Sequence, residues 1–385
     1  MSTTPAAGPL AGVRVLELGG LGPGPFAGMM LADMGAEVIR VERASGLPDR
    51  FPVLHRGRRS IAVDLKSPAG VEAVRRIADG CDVLIEGFRP GVAERLGLGP
   101  QELHARNSRL VYGRMTGWGQ DGPMAAAPGH DINYLSLTGG LHAIGPKNGD
   151  PVPPLNLVSD FGGGGMLLIY GLVCALIHAR DSGKGQVVDA SMVDGTALLL
   201  AMTYGFLGQG AWREERASNR LDGGAPYYRT YRCADGGHMA VGCVEPQFYA
   251  DMLNTLGLTD DASFSDQNDR DLWPDQHAKL EQIFATRTRD EWAELFEPTN
   301  ACATPVLTMI EAAQHPHNEA RGTFDVDPEG RIQPMPAPRF SHTPTTLPKR
   351  STVTGTQTRE VLAAAGLSSE EINALRAGGA VSWTD

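Results

Sequence analysis

What most restricts the fold of this chain is the alternation of short β-branched runs with helical segments along its first third. Residues 13–18 (VRVLEL) alternate and read as a strand, residues 19–25 as a glycine/proline turn, and residues 26–34 as a helix stopped at Gly35. Residues 37–41 give the next strand and close a βαβ unit. A third strand is expected at 61–65. Ser67 and Pro68 then supply an N-cap and a first-turn proline for a helix over 69–79, and strands follow at 82–86 and 110–115. A helix between two strands returns the chain to the same end of the sheet, so the strands run parallel. The series predicts an α/β fold with a doubly wound, Rossmann-like parallel sheet. Such sheets bind ligands beyond the carboxyl ends of their strands.

One hydrophobic core seldom grows past about 250–300 residues, so 385 residues predict two domains. The expected boundaries are 1–195 for a large α/β domain, 196–226 for a linker helix and polar connector, and 227–310 for a smaller α+β domain. Residues 311–385 form a proline-rich return and terminal helices at 357–365 and 369–377, packed on the large domain. In the small domain a strand at 239–242 precedes helices at 246–256, 274–286 and 289–296. An apolar helix is expected at 195–208. The most apolar run, 166–177, is shorter than the roughly 20 residues that span a bilayer and predicts a buried helix.

A net charge of −11 disfavours a nucleic-acid binder, and an anionic ligand would need a local basic patch. Five widely spaced cysteines without a CxxC pair suggest neither a disulfide framework nor a zinc site, and they fit a reducing, cytoplasmic compartment. Residues 1–12 lack the basic start and apolar core of a signal peptide, and the terminal SWTD is not a peroxisomal address. No membrane partner and no metal are expected.

A basic patch does exist. Arg40, Arg43, Arg56, Arg58, Arg59, Lys66, Arg89 and Arg95 cluster in the first hundred positions, many at or just after strand ends. Arginine forks there suit phosphate oxygens, and solvated surface is the plainer alternative. The GGLGPGP turn at 19–25 stands where a dinucleotide fingerprint would, but it lacks GxGxxG and its prolines remove amide donors. It reads as a tight turn.

His130 lies in Gly129-His130-Asp131-Ile132-Asn133-Tyr134, and Asp160 stands just before four glycines at 162–165. An imidazole and a carboxylate in glycine-rich backbone are the residue types of a proton-transfer site. Each also has a plainer reading: His130 as solvated or structural, Asp160 as the N-cap of the apolar helix, where the helix dipole holds it ionised. For Asp160 to return a proton its affinity must be raised, as burial against an apolar acyl group would do. The amides of residues 162–165 are available in principle to a developing oxyanion. Glu245, between a strand and a helix, reads as a helix cap.

These stretches belong to a longer series: VLEL at 15–18, GPGP at 22–25, LADMGA at 31–36, DLK at 64–66, DVLIE at 82–86, RMTGWGQ at 114–120, GHDINY at 129–134 and PLNL at 154–157. Further words fall at 183–189, 221–228 and 245–249. On this series, running in order from about residue 10 to residue 345, the chain resembles the family III CoA-transferase superfamily. Within it the words are those of members that racemise 2-methylacyl-CoA thioesters. The resemblance implies a proton leaving one face of the carbon next to the thioester carbonyl, and a proton returning to the other face of a planar enolate. His130 and Asp160 would be the two bases, and Glu245 would orient the imidazole.

Implied CoA contacts are Arg43, Val63, Asp64, Leu65, Lys66, Gly87, Phe88, Arg89, Arg95, Gly129, Asp131, Ile132, Asn133 and Tyr134. CoA would enter as part of the substrate, with no separate cofactor. The resemblance also implies an interlocked homodimer whose sites are shared between subunits, which leaves two origins open for Glu245, the subunit of His130 or its partner. Residues 45–54 match no motif of the family, and the tail beyond Thr352 varies within it. The competing activity is a CoA-transferase in which Asp160 carries the acyl group as an anhydride. His130 in its GHDINY setting favours the racemase, because covalent transfer has no obvious need for a second base.

Overall fold

The computed structural model describes residues 8–351 and 353–384. Residues 1–7 of the stretch read for a targeting signal, together with Thr352 and Asp385, lie outside the described residues. The chain divides into two compact units. The first comprises Met1–Thr138, Leu155–Leu200 and Gln333–Asp385, the second Gly139–Pro154 and Ala201–Ile332.

The first unit is built on strands β1 (Arg14–Leu18), β2 (Glu37–Glu42), β3 (Arg58–Val63), β4 (Val83–Glu86), β5 (Val111–Thr116) and β6 (Val187–Ser191). They lie in the order β3-β2-β1-β4-β5-β6, all parallel. A short strand, Val381–Ser382, adds antiparallel to the outer edge of β3. The order reverses between β1 and β4, and the chain leaves these neighbours in opposite directions, opening a crevice beyond their carboxyl ends. β4 and β5 are buried along their whole length, as strands covered on both faces must be.

Helices α1 (Pro23–Asp33), α2 (Pro68–Ala78), α3 (Val92–Arg95), α4 (Pro100–Arg106) and α5 (Asp131–Leu137) follow the strands. α1 starts three residues earlier than its composition predicts. Pro23 and Pro25 stand in its first turn, where a missing amide leaves no acceptor unpaired. One face of the sheet is covered by α2 and the terminal helices Thr358–Ala364 and Ser369–Ala377, with Val74, Ile77, Leu362 and Ile372 on Leu16, Ile39 and Leu84.

After α5 the chain enters the second unit through the short helix α6 (Gly140–Ala143) and returns at Leu155. The expected N-cap arrangement at Asp160 is then replaced. Leu157–Met166 is a ten-residue π-helical segment that runs directly into α7 (Leu167–Ser182), so the glycines lie inside the helix and not ahead of it. The joined helix has 26 residues, with a mean hydropathy of 1.7 over its most apolar 18-residue stretch, and is long and apolar enough to cross a membrane by length and composition. Leu168, Leu172, Ala175 and Ala179 pack on Val15, Val38 and Ile85 of the sheet. Met166, Tyr170 and Ile177 are exposed, so a helix expected to be buried keeps one apolar face open. The helix expected over 195–208 is broken into α8 (Met192–Leu199) and α9 (Ala201–Gly208), which fall in different units.

The second unit holds an antiparallel sheet of β7 (Tyr228–Arg232), β8 (His238–Gly242) and β9 (Ala303–Pro305), in that order. Its helices are α10 (Pro246–Leu256), α11 (Trp273–Phe284) and α12 (Arg289–Phe296). Tyr231 stacks on Phe284 at 4.8 Å, with Trp292 beside that ring at 5.1 Å. Residues 210–226, expected as a connector, are part of this unit. Ser218 and Asn219 are buried, and the Asp222 carboxylate accepts the Asn219 amide at 2.8 Å. The expected return at 316–349 contains a helix, Pro316–Arg321, and two three-residue strands, Phe324–Val326 and Ile332–Pro334.

Candidate active site

At the end of β1 the chain turns into α1 through Gly22, whose φ is +69°. A Cβ at Gly22 would lie 3.3 Å from Asp160 Oδ2, so the Asp160 carboxylate rests at the start of α1 on the crevice side of the sheet. Asp160 is not the N-cap of its helix. Asn156 occupies that position, and its Nδ2 donates to Asp160 Oδ2 at 3.2 Å. The residue before it, Leu155, has φ +57°, a left-handed conformation that costs a non-glycine residue about 1–3 kcal/mol. Strained backbone and a π-turn thus flank the carboxylate, and both features concentrate at functional sites.

The glycines explain how the turn fits. A Cβ at Gly163 would fall 2.6 Å from the Thr196 amide nitrogen, one at Gly164 2.8 Å from Met192 Cγ, and one at Gly165 2.6 Å from Phe26 Cδ1. Bare backbone lets the turn press against both α8 and α1, with Phe161 stacked on Phe26 at 4.7 Å. Residues 162–165 lie within the i→i+5 ladder of the turn, so their amides are spent there and not held for an oxyanion.

His130 precedes α5 in extended backbone. Its N–H donates to Asn133 Oδ1 at 3.0 Å, and its side chain is exposed. The next residue, Asp131, is buried, and its Oδ2 accepts the amides of both Ser159 and Asp160 at 2.8 Å. The histidine-bearing segment and the aspartate-bearing turn are therefore joined. Burial raises the proton affinity of Asp160, the Asn156 hydrogen bond lowers it, the Asp131 charge raises it and His130 lowers it. The net effect is a carboxyl above its usual range. Proton affinity is thus raised by the fold itself, before any acyl group arrives.

Of the other expected contact residues, Val63 is a core side chain, while Leu65 and Phe88 pack on the same core. Tyr134 is also buried, edge-on to Trp118 at 4.8 Å. Gly117 and Gly129 make room for its ring, since a Cβ at either would approach Tyr134 Cε1 within 2.2 Å and 2.7 Å. Burial, then the Asp160 charge, pushes its phenol up to about 12. Asp64 Oδ1 accepts the Lys66 amide at 2.9 Å and shapes a turn; Gly87, Ile132 and Asn133 are exposed, and Gly129 half-buried. Glu245 belongs to the second unit, exposed at the N-cap of α10. Its side chain caps nothing there, contrary to the plainer reading.

Half of the basic patch is consumed by the fold. Arg40 pairs with Glu17 and Glu42, Arg56 with Asp33, Arg58 with Glu17, and Arg59 with Glu37 and Glu360. Arg43, Lys66, Arg89 and Arg95 are exposed and make no ion pair among the described residues. They follow β2, β3, β4 and close α3. The parallel order therefore sets them along one edge of the sheet, beyond its carboxyl ends. No group of His, Cys, Asp and Glu among the described residues is arranged to hold a metal ion.

Two residues escaped the sequence reading. Asn156 carried no signal beyond its N-cap residue type. Glu86 ends the otherwise apolar β4, where a carboxylate is out of place. It is buried, accepts the Phe88 amide at 2.7 Å, and burial pushes its carboxyl up to about 7.

The profile for CoA-transferase family III matches residues 10–358. The alpha-methylacyl-CoA racemase of Mus musculus is 49% identical over 364 residues, 94% of this chain and 95% of its own. The enzyme of the same name from Homo sapiens is 46% identical over 367 residues, again 94% and 95%. A crystal structure of a CAIB/BAIF family protein from Brucella suis superposes with a TM-score of 0.80 at 27% identity, covering 93% of this chain and 100% of that one.

Proposed function

The chain belongs to CoA-transferase family III, and from that premise we propose that it racemises 2-methylacyl-CoA thioesters by two-base proton transfer. The observation that carries this reading is the Asp131 carboxylate joining the segment that bears His130 to the turn that bears Asp160, whose proton affinity is raised. One group takes the proton from the carbon next to the thioester carbonyl, and the electron pair moves into the C–O bond to give a planar enolate. The other group then donates a proton to the opposite face. Each catalyst ends a turnover in the protonation state its partner began with, and the reverse turnover restores both. The amides of Asp131 and Ile132 open the first turn of α5 beside His130 without intrahelical acceptors, and suit the enolate oxygen. Glu245 is assigned to orient the imidazole.

The unpaired Arg43, Lys66, Arg89 and Arg95 suit the phosphates of CoA, with Gly87, Asp64, Gly129, Ile132 and Asn133 as neighbouring contacts. Val63, Leu65, Phe88 and Tyr134 would meet the ligand chiefly through backbone. CoA is part of the substrate, and the reaction as written needs no further cofactor. Exposed apolar residues along α7 and α8, among them Met166, Tyr170, Ile177, Leu198 and Leu199, support a homodimer with sites shared between subunits. The five free cysteines are in keeping with a reducing, cytoplasmic compartment.

The test is incubation with one epimer of a 2-methylacyl-CoA in deuterated water without any acceptor acid. Epimerisation with one deuterium taken up at the α-carbon is expected. Strict dependence on an acceptor carboxylic acid would instead make the protein a CoA-transferase acting through Asp160. His130→Ala and Asp160→Asn should each lose epimerisation while still binding CoA.

A further inference from the structure

We propose that Asp131 is the positioning residue of this site, its carboxylate tying the turn that carries Asp160 to the helix that begins beside His130. The inference rests on the two-base reading above and deepens it. Oδ2 accepts the amides of Ser159 and Asp160, both at 2.8 Å, at the start of the π-turn where the chain has no intrahelical acceptor for them. A carboxylate oxygen receiving two amides makes charge-assisted bonds, stronger than those of a neutral acceptor. The other oxygen, Oδ1, is buried and meets no hydrogen-bond donor. Its negative charge is thus left uncompensated on one side, and it acts through a medium of low dielectric.

One residue thereby does two things. It fixes the spacing between the backbones on which His130 and Asp160 stand, and spacing within a fraction of an ångström governs proton transfer. It also presents a like charge to Asp160, one reason that carboxyl sits above its usual range. The titratable groups acting on Asp160 are few. His130, Asp131 and Tyr134 belong to α5 and its cap, and Asn156 contributes a neutral donor. Among the other elements against the turn, Asp33 of α1 is held by Arg56, Asp194 of α8 acts on Asp189 of β6, and Arg114 of β5 is tied to Glu86 and Glu94.

The test compares wild type, Asp131→Asn and Asp131→Ala, with thermal melts run beside the kinetics. Asn keeps an acceptor for the two amides and removes the charge. The acid limb of its kcat profile should therefore move to lower pH. Ala removes the clamp, and kcat should fall about tenfold or more with KM changed much less. Amide hydrogen exchange of wild type supplies an arm that needs no variant: Ser159 and Asp160 should be protected. Unprotected amides, or an Asn profile superimposed on that of wild type, would overturn the proposal while α-proton exchange by wild type upholds the two-base reading. Wild type without α-proton exchange would remove that reading itself.

Discussion

Asp160 shows how much a single side chain owes to its neighbours. A carboxylate at a helix N-terminus should be held ionised, yet burial and the Asp131 charge outweigh the donors that reach it. Asn156→Ala removes one of those donors, so the acid limb of kcat/KM should move to higher pH, opposite to the effect of Asp131→Asn; an unmoved limb would count against the assignment. Glu86 gives a stability counterpart. Its folded pKa is raised from 4.5 to about 7, so between those values the folded state keeps a proton that the unfolded chain has lost. Stability from this group is therefore intact below pH 4.5, falls as pH rises towards 7, and stays lower above it. Glu86→Gln escapes that loss. In urea unfolding its advantage over wild type should be larger at pH 8 than at pH 5 by on the order of 2–3 kcal/mol.

At the scale of the element, the π-turn is the feature that local reasoning misjudged. Glycine disfavours helix by about 1 kcal/mol per residue, so four in a row near Asp160 read as irregular chain ahead of a helix. Close packing reverses that preference, because only bare backbone can approach α8 and α1 so closely. Gly195→Ala should be severe, since its Cβ would stand 1.9 Å from the Gly163 carbonyl oxygen. A loss of about 3 kcal/mol or more is expected, measured by thermal or denaturant unfolding. Gly208→Ala in α9 is the control. No atom lies within 4 Å of its new methyl, and the change should be neutral or stabilising by at most about 1 kcal/mol. Equal effects at the two positions would show that packing is not the reason for the glycines.

At the scale of the whole molecule, the basic patch separates into two populations with different jobs. Arg58 is almost fully buried against Glu17, and Arg58→Ala should lower stability clearly, because it takes one of the two cations from that buried carboxylate and leaves a cavity. Arg43, Lys66, Arg89 and Arg95 are exposed, and replacing any of them by Ala should leave the melting temperature nearly unchanged. Each change should instead weaken acyl-CoA binding several-fold, an effect that shrinks as salt is raised, because exposed charges are screened. Isothermal titration at two salt concentrations reads this directly. A stable Arg58→Ala protein with weakened CoA binding would place Arg58 in the wrong population.

The sheet was legible from sequence because its signals are local. Alternating apolar residues, Ser67 with Pro68, and glycine stops act within a few positions, and parallel order follows once helices separate the strands. The terminal strand Val381–Ser382, the π-turn and the grouping of residues 139–154 with the second unit carry no such pattern. Their positions depend on contacts with segments far along the chain. The candidate site divides in the same way. His130 and Asp160 could be named as a chemical type from composition and context. Only folding brought the Asp131 carboxylate onto the amide of Asp160 and took four of eight cations into ion pairs. Periodicity is a property of neighbours in sequence. Proton affinity and free charge are set by burial and by partners in space, which no local pattern encodes.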